Sequence, residues 1–169
     1  MAVSLRQWKD SDLEPFAVIN RDGEVMRYFP ATLTREQSDA LALRQRELIA
    51  QRGWGLWAVD VDGSFAGFTG LAIPTFEAAF TPCVELGWRL AREFWGRSIA
   101  YNAALLALDY AFTVLRLTEV VSFTAEVNTR SRRLMERLGF ARDFQGDFLH
   151  PRIPQGHELR HHVLYRKQT

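Results

Sequence analysis

The spacing of hydrophobic and polar positions divides the chain into eleven predicted elements. Two-residue alternation and short apolar runs predict strands, whereas apolar positions that recur every three or four residues predict helices. The predicted strands span residues 3–8, 54–61, 65–73, 83–90, 119–124, 144–148 and 158–167. The predicted helices span residues 10–20, 34–53, 100–115 and 128–138.

Short local signals support several of these boundaries. Thr34 and Gln37 have the spacing of a capping box, in which each side chain bonds the other residue's backbone N–H. Asp62-Gly63 between two apolar runs is typical of a tight β-hairpin. Gly139 followed by Phe140 predicts a helix end with a hydrophobic contact just beyond it.

The order of the elements predicts one mixed domain. A length of 169 residues suits a single domain, residues 1–169, and no repeat or Gly/Ser-rich linker divides the chain. The order is strand, two helices, three strands, helix, strand, helix and two strands. This order predicts an α/β (α+β) layer fold, with a mixed, largely antiparallel sheet of about seven strands and about four helices.

The amino-acid composition and net charge exclude several classes of binding partner. A charged fraction of 24% with 47% apolar residues excludes a disordered chain, and a net charge of +1 offers no overall field for nucleic acid or anionic lipid. No apolar run is long enough to span a membrane, and Arg6 and Lys9 lie where a signal peptide would be apolar. Cys83 is the only cysteine, so we expect no internal disulfide and a cytoplasmic protein.

The stretch from Val84 to Tyr101 contains the first candidate site. A predicted strand ends near Leu90, a short loop turns, and a helix follows. Three small residues alternate through the turn: Gly96, Ser98 and Ala100. Small side chains admit a ligand to the backbone, and the first N–H groups of the helix with its dipole can bind an anion such as pyrophosphate. Arg92 and Arg97 add positive charge, although a plain strand-to-helix turn explains the same residues.

A second segment, residues 124–140, couples a strand end to a polar helix start at Asn128 and Ser131 and to the Gly139-Phe140 stop. Together the two segments resemble the GNAT superfamily of N-acetyltransferases, particularly the branch of the ribosomal-protein N-terminal acetyltransferases. That branch usually reads Glu-hydrophobic-Gly-aromatic, then Trp-Gly-x-Gly-aromatic-Ala, and later Asn-x-x-Ser, a basic helix and Gly-Phe. The resemblance covers residues 54–140 and, more loosely, the whole chain.

The resemblance implies a GNAT-like fold and an enzyme that uses acetyl-CoA as cosubstrate, without a metal. The amine acceptor would be a protein amino terminus or a small molecule, which attacks the thioester directly in a ternary complex. The resemblance is also compatible with a homodimer. A non-catalytic module that binds or senses acyl-CoA is the alternative function. An acidic acceptor cleft would favour polyamines or cationic drugs, and an open groove would favour peptides.

The resemblance also assigns cofactor-binding residues. Strand residues whose backbone would meet the pantetheine arm are Trp88, Arg89 and Leu90. Loop residues that would wrap the pyrophosphate are Trp95, Gly96, Arg97, Ser98, Ile99, Ala100 and Tyr101. Asn128 and Ser131 would lie beside the thioester, with Arg132 and Arg133 near a nucleotide phosphate. Ser98 stands where the family usually has glycine, and we expect serine to adopt helical φ/ψ there.

Glu85 is the candidate general base. A lysine-type amine costs about 4–5 kcal/mol to deprotonate at pH 7 and an α-amine only about 1, so a base helps alkyl amines most. Strand alternation places Glu85 on one face with Gly87 and Arg89, opposite Val84, Leu86 and Trp88. A solvent-facing carboxylate, or an ion pair with an arginine, would explain Glu85 as well.

Ser131 is the candidate hydroxyl that serves the leaving thiolate, and Tyr101 and Tyr165 are lesser candidates. Asn128 would hold the pantetheine arm or cap the helix. Capping alone explains both Asn128 and Ser131, because asparagine is a leading cap residue.

The remaining aromatic and histidine residues are assigned to the acceptor pocket or to packing. All four histidines lie between residues 150 and 162, in no familiar zinc spacing. We expect this stretch to shape the acceptor pocket or simply to pack on the surface. Tyr28 and Phe29 would line the acceptor entrance or pack. Residues expected in the core are Trp54, Trp57, Phe65 and Phe68.

Overall fold

The chain forms seven strands and four α-helices in a computed structural model that describes residues 1–169. The strands are β1 (Val3–Arg6), β2 (Leu56–Val61), β3 (Ser64–Ala72), β4 (Glu85–Leu90), β5 (Glu119–Ala125), β6 (Ala141–Leu149) and β7 (His161–Gln168). The helices are α1 (Leu13–Arg21), α2 (Arg35–Arg52), α3 (Ile99–Asp109) and α4 (Thr129–Arg137). One sheet runs β1-β2-β3-β4-β5-β7-β6, antiparallel except for the parallel pair β4 and β5. The predicted fold class is confirmed.

Helices cover both faces of the sheet. On one face, Trp57, Leu71 and Leu86 pack in a core with residues of α3 and α4. On the other face, Ala58 and Phe68 pack with residues of α1 and α2. Neighbouring residues of a strand point to opposite faces, which explains why adjacent apolar positions in β2 serve different cores. None of the helices combines the length and apolar character that crossing a membrane requires.

The local signals produce the expected caps and turns. The Thr34 hydroxyl accepts from the Gln37 N–H at 3.1 Å, and the Gln37 side chain accepts from the Thr34 N–H at 2.9 Å. Gly53 ends α2 with a φ of 88°. Asp62 and Gly63 turn the β2–β3 hairpin with φ values of 51° and 87°. These signals act within a few residues, so the sequence predicts them well.

The amino-terminal boundaries differ from the prediction. β1 ends at Arg6, because the chain leaves the sheet and the Trp8 indole donates to the Leu56 carbonyl at 2.8 Å. The first helix begins at Leu13 after a 3₁₀ turn, since buried Asp12 accepts from the Lys9 N–H and from the Arg6 guanidinium. The predicted cap at Asp10 or Ser11 is therefore wrong.

Later boundaries differ by a few residues. The helix predicted to end at Leu115 comprises α3, which ends at Asp109, and a π-helical turn over Tyr110–Val114. β6 extends beyond the predicted residues 144–148 at both ends, and β7 begins three residues later than expected. None of these differences changes the order of the elements.

Candidate active site

A cleft opens where β4 and β5 diverge. The two parallel strands pair only at Glu85 and Val121, and beyond that point they separate. The resulting cavity has a volume of about 1160 Å³. Trp88 and Ser131 line it on the α3/α4 face of the sheet, and Arg89 lines it on the α1/α2 face. The cleft therefore passes through the sheet and connects both faces.

The loop before α3 presents a row of free backbone donors to this cleft. No protein acceptor bonds the six N–H groups from Gly96 to Tyr101, and the first N–H bond of this turn runs from Asn102 to Ser98. Gly96 has a φ of 71°, and a Cβ built on it would meet no atom within 4 Å. Consecutive unpaired N–H groups at a helix start suit the oxygens of a pyrophosphate.

Ser98 adopts a left-handed conformation, with φ 58° and ψ 16°, and not the expected helical one. The chain must turn at this position to enter α3. Glycine adopts that conformation freely, whereas other residues incur a cost of about 1–2 kcal/mol. This geometry explains why a glycine would be favoured there. It leaves the backbone donors of the loop in place.

Three arginines of α4 line the cleft on the α3/α4 face of the sheet: Arg130, Arg133 and Arg137. The Arg130 guanidinium lies 4.0 Å from the centre of the Trp95 ring, and the Arg137 guanidinium lies 4.5 Å from that of Tyr101. The side chains of the predicted Arg97 and Arg132 point away from the cleft, although the backbone N–H of Arg97 belongs to the free row of the loop. Arg97 contacts the Met1 sulfur at 3.7 Å, whereas Arg132 donates to the Tyr165 hydroxyl and to the Glu126 carbonyl.

The open edge of β4 presents backbone groups from alternate residues. The Val84 and Leu86 carbonyls face β5, where they accept from the Val121 N–H and the Ser122 hydroxyl. By alternation the Trp88 backbone also faces β5, which has already diverged, so it is open to a pantetheine arm. Arg89 instead pairs with β3, and Trp95 already donates to the Leu90 carbonyl at 2.9 Å. Alternation therefore favours the Trp88 backbone over the Arg89 backbone for the predicted pantetheine contact, which stays a prediction.

A hydrogen-bonded group on the α3/α4 face of the sheet consists of Ser131, Asn128 and Trp88. The Ser131 hydroxyl oxygen accepts from the Trp88 indole at 3.3 Å and from the Asn128 amide at 3.1 Å. Asn128 also caps α4 by accepting from the Ser131 N–H. With both acceptor positions of its oxygen occupied, the Ser131 hydroxyl is free to donate its proton into the cleft. The capping role and the chemical role are thus compatible.

We expect Ser131→Ala to lower kcat at least tenfold, about 1.4 kcal/mol, with little change in the apparent affinity for acetyl-CoA. A hydroxyl that meets the sulfur acts mainly as the thiolate leaves. The cap is retained, because Asn128 bonds the backbone N–H of residue 131. Steady-state kinetics of this variant beside Tyr101→Phe checks the assignment. Full activity of Ser131→Ala with loss of activity in Tyr101→Phe would show that Tyr101 is the acid.

Glu85 lies at the vertex of the cleft and forms neither a salt bridge nor a hydrogen bond. Burial raises the pKa of its carboxyl to about 8. The alternatives of an arginine ion pair and of a fully solvated carboxylate therefore do not hold. A carboxyl group with a pKa near the working pH can accept a proton from an amine. Glu85 lies on the same face of β4 as Gly87 and Arg89, as strand alternation predicts, and this is the α1/α2 face of the sheet.

Aromatic residues line the cleft on the β5 and β7 side, across the gap from Arg89 of β4. Phe123, His150 and His162 line the cavity, with centroid distances of 4.9 Å between the two imidazoles and 6.4 Å between Phe123 and His162. Burial lowers the pKa of His162 to about 4, and burial with nearby Arg152 lowers that of His150, so both rings are neutral at pH 7. The stretch after residue 150 therefore contributes to the cleft.

The other expected residues divide between cleft and core. Tyr28 and Phe29 line the cleft, and Tyr28 also packs against the cluster that contains Ile153. Trp57 and Phe68 are buried as expected, and Phe68 also lines the cleft. Tyr165 is wrong as an acid candidate, because it is buried in the core below α4 and donates to Glu136.

Sequence reasoning did not identify Phe123 and Arg130 as cleft residues. Phe123 follows the point where β5 leaves β4, and Arg130 lies two residues after the Asn128 cap, in the first turn of α4. A signal for Arg130 was present, since it belongs to the basic start of the helix after Asn128. No sequence signal marks Phe123, because its exposure to the cleft depends on where two distant strands separate.

Comparisons with known proteins agree with this geometry. A family model described as acetyltransferase (GNAT) domain matches residues 3–141. The FsC-acetyl coenzyme A-N(2)-transacetylase of Aspergillus fumigatus is 36% identical over 91 residues, which are 52% of this chain and 39% of that protein. The spermidine N(1)-acetyltransferase of Escherichia coli is 26% identical over 159 residues, 88% of this chain and 77% of that protein.

A solved structure shows the same fold. The GNAT-family acetyltransferase from Bacillus anthracis superposes with a TM-score of 0.79 at 22% identity, over 99% of this chain and 95% of that one. The open parallel pair, the free N–H groups before α3 and the matched family model together define the class of protein. The chain belongs to the GNAT acetyltransferase family, whose members use acetyl-CoA.

Proposed function

We propose that the protein is an acetyl-CoA-dependent N-acetyltransferase that acetylates a primary amine by direct attack in a ternary complex. The observation that carries this proposal is the cleft itself. Free N–H groups of the loop before α3 lie on one face of the sheet, and Glu85 lies with aromatic residues on the other. The gap between β4 and β5 joins the two faces, so a thioester and an amine can meet within it.

Different residues of the chain would bind different parts of acetyl-CoA. The N–H groups of Gly96 to Tyr101 would hold the pyrophosphate, with Arg130, Arg133 and Arg137 adding positive charge beside it. The open Trp88 backbone would pair with the pantetheine amides as a neighbouring strand would. When bound, acetyl-CoA supplies the acetyl group as a thioester.

Two side chains would handle the protons. Glu85 would accept a proton from the amine as that nitrogen attacks, directly or through one water, because its raised pKa suits proton exchange near neutral pH. Ser131 would donate a hydrogen bond to the departing sulfur, since its oxygen already accepts two bonds. The two groups lie on opposite faces of the sheet, so the amine and the thioester can enter the gap from different sides.

The acceptor is proposed at the level of a primary amine. The motif after β4 favours the branch that acetylates ribosomal-protein amino termini, whereas the Escherichia coli relative carries the name of a spermidine acetyltransferase. A protein amino terminus and a polyamine would both be acetylated by the same chemistry. A polyamine carries several positive charges, so the charge distribution of the acceptor side bears on which of the two binds.

CoA should stabilise the folded protein. We expect about 2.7 kcal/mol at a hundredfold excess over the dissociation constant, because a ligand that binds only the native state shifts unfolding by mass action. For a chain of this size the melting temperature should rise by about 5–10 °C. Thermal melts with millimolar CoA, acetyl-CoA and free pantetheine check this. No shift with either CoA compound would contradict every acyl-CoA function, catalytic or sensing.

Release of free thiol from acetyl-CoA distinguishes the enzyme from a non-catalytic sensor. The assay uses a panel of peptides, polyamines and amino acids. Amine-dependent release of CoA is the expected result. A protein that is stabilised by CoA but releases no thiol with any amine would be a binding module.

A further inference from the structure

Arg89 is held inside the cleft by uncharged neighbours. Its Nη1 donates to the Asn20 side-chain oxygen at 2.8 Å, and buried Asn20 in turn donates to the Ser38 hydroxyl at 2.8 Å. The guanidinium lies 4.5 Å from the centre of the Phe29 ring and 5.1 Å from that of Phe68. These contacts fix the orientation of the guanidinium without neutralising its charge.

No carboxylate of the protein pairs with this cation. Arg89 forms no salt bridge, its Nε is buried without a hydrogen-bond partner, and its only hydrogen bond to the protein is the one from Nη1 to Asn20. Burial lowers the pKa of Arg89 only to about 10, so the side chain stays positively charged at neutral pH. An unpaired cation in such a place is costly, and an anionic ligand group would remove that cost.

The charge of the cleft opposes a polycation. The charged residues that line its acceptor side are three arginines and two glutamates: Arg27, Arg89, Arg152, Glu24 and Glu85. Arg130, Arg133 and Arg137 lie beside the loop before α3, where they would face the phosphates of acetyl-CoA. Glu85 is mostly protonated at pH 7, because burial raises its pKa to about 8. Exposed Glu24 is then the one negative charge that a polyamine would meet. The acidic cleft that a spermidine-like acceptor would favour is absent.

The wall opposite Arg89 suits an apolar group. Phe123, His150 and His162 present ring faces to the cavity, and Phe76 and Phe80 pack behind Phe123. Both imidazoles are neutral because their pKa values are lowered. Aromatic walls of this kind bind aryl and branched aliphatic side chains.

We propose that the acceptor is a small amine that also carries a carboxylate and an apolar body, and that Arg89 binds the carboxylate. This inference rests on the proposed function and names its substrate class. Glu85 and Arg89 lie on one face of β4, four residues apart, with about 13 Å between their Cα atoms. Both side chains reach into the cleft, so the space between them fits a compound of amino-acid or dipeptide size.

The first test uses the unmodified protein. Calorimetry of the protein saturated with CoA compares phenylalanine and a Phe-Leu dipeptide with their carboxamides, which have the same shape without the charge. Thiol release from acetyl-CoA compares the same compounds with spermidine and an amidated peptide. We expect each carboxylate to bind at least tenfold more tightly than its amide and to react with at least tenfold higher kcat/KM.

Variants at position 89 then test whether Arg89 is the residue that binds the carboxylate. We expect Arg89→Gln to remove the preference for the carboxylate while leaving the amides within a few-fold, and Arg89→Lys to retain part of it because lysine keeps the charge without the planar fork. Arg44→Gln is the matched control, since Arg44 is exposed on α2 outside the cleft. It should retain the full preference. CoA-induced stabilisation shows that each variant is folded.

The outcomes separate this inference from the proposed function. Equal or better binding of the amides, spermidine or the amidated peptide would overturn it, as would an unchanged preference in folded Arg89→Gln. Acetylation of spermidine or of the amidated peptide alone would overturn it while supporting the proposed function. Carboxylate-selective binding without any thiol release would support the Arg89 site and contradict the enzymatic activity.

Discussion

Gly96→Val is expected to weaken acetyl-CoA binding by at least an order of magnitude, about 1.4 kcal/mol. Gly96 has a φ of 71° and faces open space before α3, where the free N–H groups begin. A branched side chain would occupy the path of the pyrophosphate and would also disfavour the left-handed backbone that aims those groups. Calorimetric titration of the variant with acetyl-CoA measures the loss.

Gly63→Val is the matched control for backbone strain. Gly63 lies in the β2–β3 hairpin with a φ of 87°, and a Cβ there would also meet no atom within 4 Å. This variant should lose comparable stability and keep its affinity for acetyl-CoA. A folded Gly96→Val protein with unchanged affinity would remove the loop as the pyrophosphate site.

Glu85→Gln should lower the rate of acetyl transfer, and the size of this loss should depend on the acceptor. For an alkyl amine the loss could reach the roughly 10²–10⁴-fold typical of general base catalysis, because the variant must wait for amine that is already neutral. For a low-pKa α-amine, deprotonation at pH 7 costs only about 1 kcal/mol, so the loss of rate should be small. Kinetics of wild type and variant across pH 6 to 9 provide the measurement.

The pH dependence has a definite sign. Burial raises the pKa of Glu85 to about 8, so the wild-type base is mostly protonated at pH 6 and kcat/KM should rise as pH approaches 8. In Glu85→Gln that titration disappears, and the rate should follow only the amine, with a steeper dependence up to the amine's own pKa. Glu47→Gln, exposed on α2, should keep the wild-type profile. A variant at residue 85 with the wild-type profile would show that Glu85 is not the base.

The parts of the fold that follow from neighbouring residues could be predicted from the sequence. The Thr34–Gln37 capping box, the Asp62-Gly63 hairpin and the Asn128 cap each depend on contacts within a few positions, and all three are present. The face of β4 that carries Glu85 also follows from simple alternation. The pattern therefore placed the candidate base and the candidate hydroxyl in the cleft.

The parts that depend on long-range pairing could not be predicted. The separation of β4 and β5 after Glu85 is set by strands that lie over thirty residues apart, and it exposes Phe123 to the cleft. Arg132 and Tyr165 look polar enough for a site in the sequence, but Arg132 donates to the Tyr165 hydroxyl and the Glu126 carbonyl, and Tyr165 of β7 is buried in the core below α4. The sequence also did not show that Arg89 is an unpaired cation, because its hydrogen-bond partner Asn20 belongs to the distant helix α1.

The fate of the acetyl group tests the central claim most directly. Mass spectrometry of a reaction with acetyl-CoA and the amine panel quantifies N-acetylated product, while a thiol reagent quantifies free CoA. We predict equal amounts of the two products with at least one amine, a large loss in Gly96→Val and Glu85→Gln, and no acetylated protein when acetyl-CoA is supplied alone. Free CoA without any acetylated amine, or no CoA at all from a protein that binds acetyl-CoA, would contradict the account.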